Sequence, residues 1–386
     1  MDASPEKTVP RKIHEVLRVL VHDLENYRIA VQDANKKGDR YLGEVFFITM
    51  EQESAEPAKN VVLKLAFYDA STRNARPIRA TFLNEVYFYT KLWPKLVEFQ
   101  QAIPPGIGFF HVAKCLETSV EAEAEWLVLE NLKHEGFAMH DKKKPLSRNQ
   151  LEMIFELYGR FHAISLAYKA LKPREFQELT KEAKEHLKRY FEPMDFKKAI
   201  SKWQKRCLRS LVPGVDDAVI EKYEGYVAKG MEVFSQSQVV GKYTAIIHGD
   251  CWSNNMMFKY DNSGNVLDVR FLDFQQSRLA SPACDLSYCL YSGGTKADFD
   301  ELTHLLQVYH DSLKRNLAAY GCDPVEVYPF QALEEDWARY CHFGVSMGLL
   351  LWRVKLAGAD GSSVDEEEYR RRTRDIILHL YENNYM

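Results

Sequence analysis

One short segment of the sequence carries the residue types that phosphoryl transfer to a hydroxyl requires. His248 precedes Asp250 by two residues, and Asn255 follows the aspartate by five. A carboxylate at such a position can accept or orient the proton of an alcohol. A nearby amide oxygen can bind Mg²⁺, because this ion prefers hard oxygen ligands. The segment therefore predicts a site that activates a hydroxyl beside a metal-bound phosphate.

A second acidic residue follows in a strand-like run. Asp273 lies 23 residues after Asp250, in the apolar stretch Phe271–Phe274. A strand, a Gly-rich turn and a return strand fit this spacing and would bring Asp273 beside Asn255, so that one carboxylate and one amide share a Mg²⁺ ion. The Asp-to-Asn spacing matches the kinase catalytic loop H-R-D-x-x-x-x-N. Asp273 stands where kinases have the D-F-G aspartate, although Gln275 replaces the glycine.

A lysine and a glutamate upstream complete this set of groups. Lys64 ends the apolar run Val61–Leu63 within a predicted strand and could pair with the α- and β-phosphates of a nucleotide. Glu85 lies 21 residues later, in a predicted helix, and could hold the ammonium group. A turn before the first predicted strand is a further candidate for covering the phosphates, although it lacks the G-x-G-x-x-G pattern. That turn contains Gly38, Arg40, Tyr41 and Gly43.

Each of these residues alone has an ordinary structural interpretation. A strand lysine usually extends its ammonium to the surface, an aspartate often caps a turn, and a buried histidine is usually a hydrogen-bonded core residue. The order and spacing of the whole set, rather than any single member, favours phosphotransfer.

The predicted elements that position these residues change from mainly strands to mainly helices along the chain. Runs rich in β-branched and aromatic residues predict strands at Tyr41–Met50, Val61–Phe67, Val112–Ser119 and Glu125–Glu130. Between the second and third strands, an apolar stripe predicts a helix over Arg79–Leu96 that breaks at Pro94.

After Asn131, long helical periods dominate the sequence. Apolar periodicity predicts helices at Leu151–Tyr168, Asp298–Tyr320 and Glu334–Leu356. A β-rich first third followed by a mostly helical remainder predicts an α+β fold with two lobes. We expect an N-terminal lobe over residues 1–130, a C-terminal lobe over residues 131–386, and a hinge at Glu130, Asn131 and Leu132.

Length and composition restrict the class of protein. The 386 residues are enough for two domains, and 46 % hydrophobic with 27 % charged residues is close to the globular average. The net charge of −4 argues against nucleic-acid binding as the main activity. No apolar stretch approaches the ~18 residues of a membrane span. The N-terminus lacks a secretory pattern, and the seven scattered cysteines favour free thiols in the cytoplasm.

At H-G-D-x-W-x-x-N-x-x-F followed by L-D-F-Q, the sequence resembles the ecdysteroid-kinase-like family of insects. This family is a branch of the aminoglycoside-phosphotransferase and choline-kinase superfamily. Trp126–Leu132 resembles the segment between the family's two lobes, and Phe161–Ser165 resembles its F-H-A-x-S helix. Cys284–Leu286 resembles the acidic turn after the metal aspartate. The resemblance extends from about Gly38 to about Leu356.

The resemblance implies a bilobal protein-kinase-like fold with a β-rich N-lobe, a mostly helical C-lobe and ATP in the cleft between them. The adenine would lie against the backbone near Glu130, Asn131 and Leu132. In the roles it implies, Asp250 is the catalytic base, Lys64 with Glu85 binds phosphate, Asn255 and Asp273 bind Mg²⁺, and His248 and Asp285 support the loop.

The acceptor implied by the resemblance is a steroid or another apolar alcohol. Such a molecule needs a wide apolar pocket, to which Trp252, Trp337, Tyr340 and Phe343 could contribute. An aromatic stripe at helical spacing is, however, more often core than pocket. An aminoglycoside would require an acidic wall, which is absent near the catalytic motif, whereas an aromatic cage for choline stays open.

Three functions are consistent with these residues and with the resemblance. The first is an ecdysteroid kinase, modifying the steroid 22-hydroxyl to give an inactive phosphate conjugate, and the second is a paralogue that phosphorylates xenobiotic or other small alcohols. The third is a nucleotide-binding or hormone-binding protein without catalysis. Protein-kinase activity is disfavoured because H-R-D and A-P-E motifs are absent. We expect a monomer with a small-molecule substrate and neither nucleic acid nor membrane as a partner.

Overall fold

An antiparallel sheet dominates the first third of the structure, which is a computed structural model. The structure describes residues 11–33, 43–52, 57–101, 103–104, 106–183, 196–236, 241–358 and 363–386. The strands run in the spatial order β1-β2-β3-β5-β4. Their bounds are β1 Tyr27–Asp33, β2 Gly43–Gln52, β3 Lys59–Ala66, β4 Cys115–Ser119 and β5 Trp126–Glu130.

Both faces of this sheet are covered, because its central strands contain runs of consecutive apolar residues, whose side chains point alternately to the two faces. One face packs on helix α1 (Arg11–Leu20), with Ile48 and Leu63 among the buried residues. The other face, which includes Leu129, joins the large core that continues through the rest of the chain. The sheet is therefore a rigid support for Lys64, which lies on the central strand β3.

The helical segment after β3 continues past Pro94, so the predicted break is wrong. After α2 (Ala70–Ala75), α3 (Ile78–Tyr87) leads through a π-helical turn at Phe88–Leu92 into α4 (Trp93–Gln100). Proline lacks an N–H donor and its ring crowds the preceding turn. A π-helical turn is wider than an α-helical turn and lies directly before Pro94. The widened turn therefore makes room for the proline.

The rest of the chain is mostly helical, as the sequence predicted. Two pairs of helices, α5 with α11 and α9 with α13, pack along one another. The bounds are α5 Arg148–Leu171, α6 Pro173–Thr180, α7 Phe196–Cys207, α8 Asp217–Gln236, α9 Pro282–Gly293, α10 Lys296–Asp300, α11 Leu302–Ala319, α12 Pro324–Val327, α13 Phe330–Lys355 and α14 Glu366–Glu382.

Two small sheets hold the segment that contains Asp250 and Asp273. β7 (Ala245–Ile247) pairs with β10 (Arg278–Ala280), and β8 (Met256–Tyr260) lies between β6 (Ala138–Met139) and β9 (Val266–Phe271). The β8–β9 hairpin is the strand, turn and return strand that the spacing predicted.

The α+β class is confirmed, with the sheet before Asn131 and most helices after it. The division at residues 130 and 131 stays a prediction. Within the described part of the chain, no helix is long and apolar enough to cross a membrane. None of the seven cysteines forms a disulfide.

Candidate active site

Asp250 lies in the loop after β7, and its carboxylate is held on both sides. Nδ2 of Asn255 donates to Asp250 Oδ2 over 2.7 Å, and also to the Asp250 carbonyl over 2.9 Å. The Tyr288 hydroxyl donates to Asp250 Oδ1 over 2.6 Å. Burial raises the pKa of Asp250 to about 6, against the opposing hydrogen bonds from Tyr288 and Asn255. At neutral pH the group is a carboxylate that can still accept a proton.

Asp285, in the first turn of α9, holds the backbone of the two residues that precede Asp250. Its Oδ2 accepts from the His248 N–H over 2.7 Å, and its Oδ1 accepts from the Gly249 N–H over 2.9 Å. Burial alone would raise the pKa of Asp285, but the hydrogen bond from His162 Nε2, at 3.3 Å, lowers it. The buried carboxylate thus stays ionised and holds two consecutive N–H groups.

The imidazole of His248 joins the Asp250 loop to the Asp273 segment. Its Nε2 lies 2.8 Å from the Leu272 carbonyl oxygen, and the Asp250 N–H donates to its Nδ1 over 3.2 Å. Burial lowers the pKa of His248, which favours the neutral ring. The neutral ring with a proton on Nε2 satisfies both hydrogen bonds.

Gly249 allows the loop to pass close to the segment after Asp273. Its φ of +83° is unfavourable for any residue with a side chain. A Cβ atom at this position would also collide with the Gln276 carbonyl and with the Arg278 guanidinium. The glycine of the H-G-D motif is thus required by backbone conformation and by space.

Asp273 follows β9 in a left-handed conformation with φ 65° and ψ 69°. This conformation is uncommon for a residue with a side chain and occurs often at functional sites. The Leu272 N–H donates to the Asn255 carbonyl over 2.9 Å. On the other side, the Phe274 ring stacks on Phe88, with centroids 3.7 Å apart. These contacts hold the Asp273 backbone between the Asp250 loop and the π-helical turn.

The residues predicted to bind Mg²⁺ have the right donor chemistry. Because both hydrogen bonds of the Asn255 amide to Asp250 use Nδ2, its Oδ1 is left as a ligand atom. Asp273 adds a carboxylate that is about one-third exposed. An amide oxygen with one carboxylate suits an ion that keeps phosphate and water in its shell. Among the described residues, no group of three or more His, Cys, Asp or Glu side chains is placed so that it could hold a metal ion.

Lys64 lies between the two carboxylates that the sequence indicated. Its Nζ donates to Glu85 Oε2 over 2.7 Å and lies 3.5 Å from Asp273 Oδ1. Burial alone would lower the pKa of Lys64, but Asp273 and Glu85 raise it above its usual value. Burial raises the pKa of Glu85 to about 6, so the pair is ionised at neutral pH. A cation therefore faces Asp273 from β3.

Two residues of this site were not predicted from the sequence. Asn84 donates from Nδ2 to the carbonyls of Gln275 and Ser277, over 2.9 and 2.8 Å, and so fastens α3 to the Asp273 segment. The sequence feature that could have identified Asn84 is its position next to Glu85. Tyr288 lies three residues after Asp285, just beyond the acidic motif, where a helical turn brings it to the same side of α9.

The predicted nucleotide-binding residues are partly described. Glu130 Oε1 accepts from the Lys114 N–H over 2.7 Å, and Asn131 caps a short turn by accepting from Lys133 N–H. Leu132 is buried in a small apolar cluster with Met257. A Cβ on Gly43 would collide with the Leu65 carbonyl, so this glycine serves strand packing. Gly38, Arg40 and Tyr41 lie outside the described residues.

The four aromatic residues proposed for the acceptor are all buried, at 8 % exposure or less. Phe343 is connected to Asp250 through Tyr288, because its ring packs edge-on against the Tyr288 ring, with 5.7 Å between the centroids. Trp252 lies two residues after Asp250, and a hydrogen bond from its side chain lowers the pKa of Asp250. Trp337 packs instead on Tyr291, one turn further along α9. Tyr340 is part of the large core.

Comparison with known proteins shows which family and which solved structures this chain is similar to. The model of the family described as "Ecdysteroid kinase-like family" matches residues 37–322. No curated protein matched the chain.

Solved structures with a similar fold include a choline kinase from Cryptosporidium parvum Iowa II. It is 11 % identical, with 97 % of each chain covered and a TM-score of 0.50. A Plasmodium vivax ethanolamine kinase is 15 % identical, covering 96 % of this chain and 87 % of the other, with a TM-score of 0.44. The first similarity and the observed architecture confirm the predicted kinase-like fold.

Proposed function

Since the chain belongs to the ecdysteroid kinase-like family, we propose that it is a kinase that transfers the γ-phosphate of ATP to a hydroxyl of a small molecule. One observation carries this proposal. The buried Asp250 carboxylate is held by Asn255 and Tyr288, and Leu272 joins the same loop to Asp273, which Lys64 faces. This array contains a base, two oxygen ligands and a phosphate-binding cation.

Asp250 orients the acceptor hydroxyl and takes up its proton as the hydroxyl oxygen bonds to the γ-phosphorus, while the bond from that phosphorus to the β-phosphate oxygen breaks and ADP leaves. Lys64, held by Glu85, stabilises the negative charge on the nucleotide phosphates. Asn255 Oδ1 and the Asp273 carboxylate would hold Mg²⁺, which neutralises phosphate charge when it is bound. Because the transition state of this reaction is loose, positioning and charge neutralisation supply most of the catalysis. Glu130, Asn131 and Leu132 would contact the adenine through backbone groups.

The acceptor that we propose is an ecdysteroid, modified at the 22-hydroxyl as by an ecdysteroid 22-kinase, to give an inactive phosphate conjugate. Support for this choice comes from the family and from the apolar side chains near the base, Trp252 and Phe343. The protein would act as a cytoplasmic monomer.

Two other functions follow from the same residues. A paralogue that phosphorylates xenobiotic alcohols would use the same catalytic groups on a different acceptor. A protein that binds nucleotide or hormone without catalysis would not need Asp250, Asn255, Asp273 and Lys64 together. The complete set therefore favours catalysis.

A product screen tests the proposal. The protein is incubated with Mg-ATP and a panel of ecdysteroids, simple phenols and choline, and mass spectrometry detects a gain of one phosphate. We expect phosphate on an ecdysteroid, and none when Asp250→Asn replaces the wild type. Phosphate on choline or on phenols alone would contradict the steroid assignment. Transfer to no acceptor would contradict the kinase.

A further inference from the structure

A buried arginine lies against the loop that carries the base. Arg278 opens β10 and pairs with Ile247 of β7, two residues before Gly249. It is 2 % exposed. Its guanidinium also contacts the site of the absent Cβ of Gly249. The positive charge is thus fixed beside the residue that precedes Asp250 in the chain.

The contacts of this guanidinium leave it under-satisfied. Nη1 donates to the Gln276 carbonyl over 3.1 Å, and the Cζ atom lies 5.1 Å from the centroid of the Phe343 ring. Nη2 is buried and has no hydrogen-bond partner. Within the described parts of the chain, no carboxylate lies at ion-pairing distance. Burying a charge without a counter-ion is costly, and buried charges in proteins are usually paired. The under-satisfied guanidinium of Arg278 is therefore a candidate for ligand recognition.

Arg278 is connected to the base through two aromatic rings. Its guanidinium lies over the Phe343 ring, the rings of Phe343 and Tyr288 are in a T-shaped contact, and the Tyr288 hydroxyl donates to Asp250. Because the guanidinium also lies against Gly249, the residue before Asp250, an acceptor whose hydroxyl reaches Asp250 lies within the electrostatic range of this cation. A cation in a low-dielectric site repels an ammonium group and attracts oxygen atoms.

We propose that Arg278 determines the acceptor class: it excludes alcohols that carry an ammonium group and favours neutral or anionic alcohols with further oxygen atoms. This inference rests on the proposed function, because it assumes that the acceptor hydroxyl lies at Asp250. Two unit charges ~10 Å apart, at an effective dielectric constant of ~20, interact strongly enough to change a binding constant by about tenfold. Choline-like acceptors are therefore disfavoured in this chain, whatever aromatic residues surround the site.

A set of matched ligands tests the proposal without turnover. Three phenethyl alcohols that carry a para tert-butyl, trimethylammonium or carboxylate group have similar shapes and different charges. Their dissociation constants are measured by calorimetry with the full chain and Mg-ADP. We expect the wild type to bind the tert-butyl and carboxylate compounds at least about tenfold more tightly than the trimethylammonium compound. Arg278→Met should reduce this preference to about threefold or less, and Arg278→Lys should keep it.

The control is Arg315→Met, which removes the same formal charge from an exposed position and should leave the preference unchanged. Equal or tighter wild-type binding of the ammonium compound would overturn the proposal, as would an unchanged preference in folded Arg278→Met. Binding of none of the three compounds would also overturn it. If Arg278→Met does not fold, the wild-type ranking decides alone. Because no phosphate is transferred, failure of the kinase assignment would be seen separately, in the product screen.

Discussion

Replacing Tyr288 by phenylalanine removes the hydroxyl that donates to Asp250 Oδ1 over 2.6 Å. A hydrogen bond to a charged group contributes ~1.5–3 kcal/mol, and one pKa unit corresponds to ~1.4 kcal/mol. Since this bond stabilises the carboxylate, its loss should raise the pKa of Asp250 by about one to two units. The value would move from about 6 to roughly 7–8.

The sign of the effect on activity follows from the role of the base. Asp250 must be ionised to accept a proton, so activity falls as the pH drops through its pKa. At pH 7, an increase of one to two units reduces the ionised fraction about twofold to tenfold. We expect kcat/KM of Tyr288→Phe to fall by this factor at pH 7 and to recover near pH 9.

The assay is the pH profile of kcat/KM between pH 5 and 9, with saturating Mg-ATP and the acceptor identified by the product screen. Tyr291→Phe is the matched control, because Tyr291 is a buried tyrosine of the same helix whose hydroxyl contacts His379 instead. Its acid limb should coincide with that of the wild type. An acid limb of Tyr288→Phe that is unchanged, or that moves to lower pH, would refute the reasoning.

Three further predictions concern stability and nucleotide binding. Asp250→Asn should stabilise the fold by about 1–3 kcal/mol at pH 7.5. Burial raises the pKa of Asp250 to about 6, so ionisation of this carboxyl in the folded protein costs stability. In thermal unfolding, the increase in Tm of the variant over the wild type should vanish below about pH 4. Glu85→Gln should raise the KM for ATP at least about fivefold, because Lys64 loses its charged partner, whereas Glu98→Gln, in an exposed ion pair, should not. Burial lowers the pKa of Lys355 to about 7, so the charged form of this lysine destabilises the fold. Lys355→Met should therefore be more stable than the wild type, by the largest margin at pH 6 and by a decreasing margin as the pH rises towards 10. A difference in Tm that does not depend on pH would contradict this prediction.

Much of the site could be inferred from local sequence patterns, because its residues lie on short segments whose geometry is determined locally. The five-residue spacing of Asp250 and Asn255 corresponds to one tight loop, and the structure closes it with a side-chain hydrogen bond. Lys64 lies on β3 and Glu85 on α3, the second helix after that strand, and the packing of α3 on β3 brings the pair within 2.7 Å. Their roles toward ATP stay predictions.

The remainder depends on packing between distant segments. Tyr288 reaches Asp250 because α9 packs against the loop after β7, where Asp285 accepts from the N–H groups of His248 and Gly249. A Cβ on Gly344 of α13 would collide with the backbone of Ser287 and Tyr288, so α13 lies directly against this part of α9. Arg278 becomes a buried charge only when β10 pairs with β7. The helix past Pro94 depends on a π-helical turn that apolar periodicity does not indicate. Apart from the three-residue spacing of Tyr288 from Asp285, these features have no local pattern from which they could be inferred.

The most direct test of the central claim is transfer of phosphate from Mg-ATP to an ecdysteroid by the purified chain, with Asp250→Asn and Asp273→Ala beside the wild type. We predict one added phosphate with the wild type and none with either variant, while Asp250→Asn still binds ATP. Turnover by either folded variant at a rate near that of the wild type would contradict the account.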